Sequence, residues 1–191
     1  MKIGILAIQG DYEAHAAVLN RLGVPHTFVR VPADLEGLSG VILPGGESTT
    51  HLKVMTEEGL FDALKKFAVN GGAFFGTCAG AILLAREVHG PHQDSLGLLD
   101  ISVLRNGYGR QLASHVHSST TTLRAEPLEM VFIRAPIIES VGKGVEVLAQ
   151  DEGRPVLVRQ GRILASTFHP ELTADTTVHE HFLKLARNGS R

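Results

Sequence analysis

Cysteine occurs once in this chain, at position 78. A single thiol excludes an internal disulfide and fits a reducing compartment. Runs of like charge are missing, and the formal net charge is only −2. The chain therefore carries no electrostatic footprint for nucleic acid. No apolar segment approaches the roughly 20 residues that span a bilayer. Met1 to Ile8 is too short for a secretory leader and runs into polar Gln9-Gly10-Asp11. Repeats, low-complexity segments and linkers are also lacking. These absences point to a cytoplasmic protein with neither nucleic acid nor membrane as partner.

What is present suffices for one domain covering 1–191. The chain has 191 residues, of which 43% are hydrophobic and 20% charged. That length buries a substantial core.

The first half alternates strand and helix signals. Ile3 to Ile8 is a continuous apolar run, as in a strand buried on both faces. Asp11 can cap a following helix in which Ala14, Val18 and Leu22 recur at i+4. Thr27 to Val31 and Gly40 to Leu43 are further strands. Leu60, Leu64 and Phe67 mark a helix, and Ala73 to Phe75 a strand. A helix over Ala79 to Glu87 follows. This rhythm predicts an α/β fold with a doubly wound, mostly parallel sheet flanked by helices.

The second half is richer in strands. Leu98 to Leu104, Ser119 to Leu123 and Met130 to Ile133 are candidates. Val156 to Arg159 and Arg162 to Ala165 predict an antiparallel hairpin connected at Gln160-Gly161. A last helix is expected over about Thr176 to Ala186.

Three clusters fall at predicted strand ends, where open α/β sheets collect their sites. The first is Gly76-Thr77-Cys78-Ala79-Gly80. Its glycines allow a tight strand-to-helix turn with Cys78 at the tip, the layout of a nucleophile elbow. Free N–H groups at the helix start favour a thiolate there and can hold an oxyanion. The plain alternative is a small buried hydrophobe. The second cluster is Phe168-His169-Pro170-Glu171. Residues two apart in extended chain point the same way, so His169 and Glu171 can share a face, given a favourable bend. A cysteine, a histidine and an orienting carboxylate form the general activated-nucleophile arrangement. Alternatively, His169 is a turn histidine beside a proline. The third cluster is Pro44-Gly45-Gly46-Glu47-Ser48-Thr49, where glycine lets backbone approach a substrate closely. Its alternative is a turn before a helix capped by Ser48 or Thr49.

Taken together, these motifs resemble those of class I (triad) glutamine amidotransferases. Within that class they look like the glutaminase subunits of pyridoxal 5′-phosphate synthases. The likeness rests on Leu6–Asp11, Leu43–Thr50, Gly76–Gly80, Arg105–Gln111, Val131–Pro136 and Phe168–Glu171, which appear in family order over nearly the whole chain. It implies that Cys78 attacks the side-chain amide of L-glutamine, His169 moves the protons and Glu171 orients His169. It further implies that the N–H groups of Gly46 and Ala79 form the oxyanion hole. Gly46, Glu47, Ser48, Arg105, Ile133 and Arg134 match the family's glutamine-contacting positions. Arg105 fits best on chemical grounds, because a guanidinium fork matches the α-carboxylate. The implied partner is a synthase subunit in a hetero-oligomeric complex, which receives the ammonia.

The sequence departs from the wider class at Ile82, where many members have glutamine; in this departure it agrees with the pyridoxal synthase branch. It departs from that branch over Leu112 to His117. No cofactor is expected, since neither a phosphate loop nor a Schiff-base lysine motif is present. No metal is expected either: His115 and His117 can share a strand face, but no further ligand appears at convincing spacing. A stand-alone cysteine hydrolase and a degenerate scaffold subunit are the competing readings.

Overall fold

A computed structural model describes residues 1–107 and 114–187. Tyr108 to Gln111 of the Arg105–Gln111 motif, and Leu112 and Ala113 of the departing stretch, lie outside the described residues.

The fold is organised by a seven-stranded sheet. Its strands are β1 (Ile3–Leu6), β2 (His26–Val29), β3 (Gly40–Leu43), β4 (Ala73–Thr77), β10 (Glu146–Asp151), β11 (Arg154–Gln160) and β12 (Ile163–Ser166). They lie in the order β10-β11-β12-β4-β3-β1-β2. The pairings from β2 through β1, β3 and β4 to β12 are all parallel. The pairings β12–β11 and β11–β10 are antiparallel. The expected parallel core and C-terminal hairpin thus belong to one sheet.

Alternate strand residues feed two cores, as the period of two demands. Ile3, Ile5, Ile42 and Phe75 pack under α1 (Tyr12–Arg21) and α5 (Thr177–Arg187). Leu6, Val41, Leu43 and Phe74 pack on the other face. There they meet α2 (Ser48–Glu57), α3 (Leu60–Val69) and α4 (Ala79–Leu84). Burial of both faces explains why these strands read as unbroken apolar runs. Two small sheets flank this body. One orders β5 (Ala85–His89), β6 (Leu99–Leu104) and β9 (Ile137–Val141); the other pairs β7 (Ser114–Ser119) with β8 (Leu128–Ile133). No helix among the described residues is long and apolar enough to cross a membrane.

Several expectations need correction. The elbow helix stops at Leu84 rather than Glu87, because the chain turns extended at Ala85 to pair with β6. Its six residues are all buried, whereas Arg86 and Glu87 face solvent on a strand. The strand expected at Ser119 to Leu123 lies earlier, at Ser114–Ser119, where it pairs with β8. Its mostly exposed Ser-His-Val-His-Ser-Ser sequence gives no apolar alternation to read. Beyond it, Thr121 makes only an isolated bridge to Ala149. The hairpin connection is Gly161-Arg162, one residue later than expected, since Gln160 pairs with Ile163. Asp11 stands at the N-cap of α1, but its side chain makes no capping bond. Strands β9 and β10 lie in segments where the sequence shows no clean strand period.

Candidate active site

The chain places its chemistry where three adjacent strands end. Leu43 of β3 pairs beside Gly76 of β4, and Ser166 of β12 beside Thr77. The loops leaving these strands carry Gly45–Glu47, Cys78 and His169. Cys78 N–H donates to Ser166 O at 2.9 Å, tying the elbow to β12, and His169 N–H donates to Val131 O of β8 at 2.8 Å.

Cys78 sits on a sharp turn. Its backbone adopts φ 50° and ψ −103°, and α4 begins at the next residue. Glycine is required on both sides by close approach. A Cβ on Gly76 would lie 2.5 Å from the Gly80 carbonyl, and one on Gly80 would lie 1.9 Å from Leu43 O. The elbow is therefore pressed against β3, with Cys78 mostly buried at 8% exposure. Its Sγ lies 3.8 Å from Ile133 O. Among the N–H groups that a helix start leaves without intrahelical partners is that of Ala79.

His169 and Glu171 are joined by the bend that the sequence left open. Pro170–Leu172 forms a turn of 3₁₀ helix, with His169 as its N-cap at φ −108°, ψ 85°. This brings His169 Nδ1 to 2.7 Å from Glu171 Oε1. Both side chains are buried, His169 at 2% and Glu171 at 5% exposure. Burial alone disfavours charge on His169. Interaction with Cys78, then with Glu171, outweighs it and pushes the imidazole up to about 10. His169 Nε2 is buried and makes no well-aligned hydrogen bond, so it remains available to the thiol and the substrate. Burial raises the Glu171 carboxyl, while the His169 hydrogen bond and charge work against that rise.

The Cys78 thiol opens onto a solvent-connected pocket. Gly46, Glu47, Ser48, Cys78, Ala79, Arg105, Ile133 and Arg134 all line it, together with Ile82 and Asn106. The eight expected residues thus converge, while His169 and Glu171 are not among its lining residues. Gly46 holds φ +144°, and a Cβ there would lie 2.8 Å from Gln9 Oε1. That Gln9 oxygen accepts from Glu47 N–H at 2.9 Å. Ser48 opens α2 and does not cap it. Its hydroxyl donates to Gln93 Oε1 at 2.9 Å. Arg105 Nη2 lies 3.3 Å from Glu47 Oε1, so the pocket presents one cation and one anion side by side. Arg134 is exposed and also has positive φ, 43°.

Other nearby groups were not anticipated. Asp11 Oδ2 approaches His169 Nδ1 at 3.5 Å. Asp11, His169 and Glu171 bring ligand-type atoms within 4.8 Å of one another. A cation there would have to displace the proton that His169 Nδ1 shares with Glu171. His15 and His179 meet beside Glu171, from helices 164 residues apart in sequence. The one signal for His15 is a polar residue on the buried side of an amphipathic helix; its partner has none.

A family model described as the SNO glutamine amidotransferase family matches residues 5–188. A pyridoxal 5′-phosphate synthase subunit PdxT from Koribacter versatilis is 56% identical over 190 residues, covering 100% of this chain and 98% of that protein. The subunit of that name from Deinococcus radiodurans is 52% identical, covering 97% of each chain. A crystal structure of a glutamine amidotransferase superposes with a TM-score of 0.92 at 49% identity, covering 97% of this chain and 98% of that one.

Proposed function

Because this chain belongs to the SNO glutamine amidotransferase family, we propose that it hydrolyses L-glutamine to L-glutamate and ammonia for a pyridoxal 5′-phosphate synthase subunit. The observation that carries this reading is Cys78 on a strained elbow, with the bonded His169–Glu171 pair beside it.

Zwitterionic glutamine suits the pocket. Arg105 takes the α-carboxylate, and the Glu47 carboxylate beside it takes the α-ammonium. Ser48, Ile133 and Arg134 line the path of the side chain toward Cys78. The thiolate attacks the amide carbon, and the displaced electron pair settles on oxygen. The N–H groups of Gly46 and Ala79 hold that oxyanion. As the oxyanion collapses, the carbon–nitrogen bond breaks and His169 gives its proton to nitrogen, releasing ammonia. Water then attacks the thioester, His169 takes its proton, and the carbon–sulfur bond breaks to free glutamate. Glu171 orients the imidazole throughout.

The whole chain, 1–191, is read as one glutaminase domain. Its place of work is the cytoplasm, where Cys78, free and buried, stays reduced. Glutamate release with and without the synthase partner tests the function. Release that requires the chain supports it; no release in the presence of a competent partner contradicts it.

A further inference from the structure

Two buried histidines stand beside the triad with no part in the reaction just described. His15 on α1 and His179 on α5 are both fully buried, at 0% exposure. His15 Nδ1 lies 2.9 Å from His179 Nε2. His15 Nε2 lies 3.2 Å from Thr77 Oγ1 and 3.6 Å from Glu171 Oε1. That oxygen is the one bonded to His169 Nδ1. Thr77 immediately precedes the nucleophile.

Partners assign the protons. His179 Nδ1 is buried without a hydrogen-bond partner. An N–H orphaned in that way is rarer in folded proteins than an unused acceptor. His179 therefore carries its proton on Nε2 and donates to His15 Nδ1. His15 then carries its own proton on Nε2, the nitrogen facing Thr77 and Glu171. Both rings are held neutral. Burial, with Arg21 adding to it, pushes His179 down to about 3. Burial first, then the nearness of the His179 and His169 rings, lowers His15 well below its ordinary value. A neutral donor suits this position. It steadies the carboxylate without competing with imidazolium for its charge.

We propose that His15, itself oriented by His179, is a positioning residue whose Nε2–H bonds the Thr77 hydroxyl and, from 3.6 Å, attracts Glu171 Oε1, keeping both in register with His169 and Cys78. The proposal rests on the triad reading above. The groups facing this network are His179 from α5, Thr77 from β4, His169 and Glu171 from the 3₁₀ turn, and Asp11 and Arg21 from the ends of α1. Removing His15 leaves Glu171 less firmly held against His169 Nδ1. Glu171 then supports imidazolium less well, and His169 loses its proton at lower pH.

The test is glutamine hydrolysis by the complex of this chain with its synthase partner, as a function of pH. In His15→Phe, kcat falls about tenfold, a loss typical of removing an outer partner that orients a histidine ligand. KM for glutamine is unchanged. The alkaline limb of kcat/KM moves down by roughly one unit. His15→Gln, which keeps an amide donor, recovers most of both. His179→Phe produces a weaker copy of the His15→Phe effect. Full kcat and an unmoved limb in a folded His15→Phe chain overturn the proposal, as does a His15→Gln chain no better than His15→Phe. If His15→Phe does not fold, unmoved limbs in both His15→Gln and His179→Phe overturn it. His169→Ala in the same assay separates the two levels: if it stays active, the triad reading itself fails.

Discussion

Cys78 holds φ 50° and ψ −103°, a conformation that glycine adopts freely and that costs other residues about 1–3 kcal/mol. The strain is a consequence of aiming a side chain outward from a turn pressed between β3 and β4. Cys78→Ala keeps the strain, and Cys78→Gly relieves it. The glycine variant should therefore be the more stable of the two by about 1 kcal/mol in urea unfolding, despite having fewer atoms to pack. Equal stabilities would show that the backbone there is relaxed. At His169 the consequence is a pH limit. An imidazole raised to about 10 stays protonated, and able to give a proton to the leaving nitrogen, until pH passes that value. The alkaline limb of kcat/KM should lie near it; a limb near the ordinary histidine value would contradict the close Cys78–His169–Glu171 arrangement. Glu171→Gln should cost less activity than His169→Ala, because an orienting group is less indispensable than the proton carrier. Cysteine, histidine and glutamate were legible in the sequence because each sits in a short motif. Asp11 was misread: its position before a helix suggested a cap, but its carboxylate turns instead toward His169.

Among the elements, α4 shows how little helix the site needs. Its six buried residues position one turn of backbone against β3, and the chain then leaves as a strand. Gly80 permits the contact. A Cβ at that position would meet Leu43 O, a backbone atom with no rotamer to give way. Gly80→Ala should cost about 1–3 kcal/mol in urea unfolding, the range for overpacking a core. It should also lower kcat, because the Ala79 N–H moves with the turn. A variant with wild-type stability would mean that α4 and β3 are less tightly pressed than the geometry shows. The strands of the first half were legible because both faces are buried and the runs are apolar throughout. The flanking strands were not. β7 is mostly exposed along a polar sequence, and β9 and β10 lie in segments where charged and apolar residues mix without a clean period.

Across the whole molecule, the three motifs are far apart in sequence and adjacent in space because β3, β4 and β12 are neighbours in the sheet. The sequence could place each motif at a strand end, but the return of β12 to lie parallel beside β4 comes from long-range pairing that no local pattern encodes. The same limit hid the His15–His179 contact, which joins helices from the two ends of the chain. The pocket assembled at this edge carries both charges that an amino acid requires. In the proposed function the nitrogen released here leaves for the synthase subunit.

That division of labour makes Cys78→Ala in the reconstituted synthase complex the decisive variant, with glutamate release and pyridoxal 5′-phosphate formation followed together. No other thiol exists in the chain to replace it. With glutamine as the nitrogen source, both products should fall to background. With an added ammonium salt, pyridoxal 5′-phosphate formation should return while glutamate stays absent. Continued glutamate release from the Cys78→Ala complex would contradict the covalent mechanism and the assignment of this site.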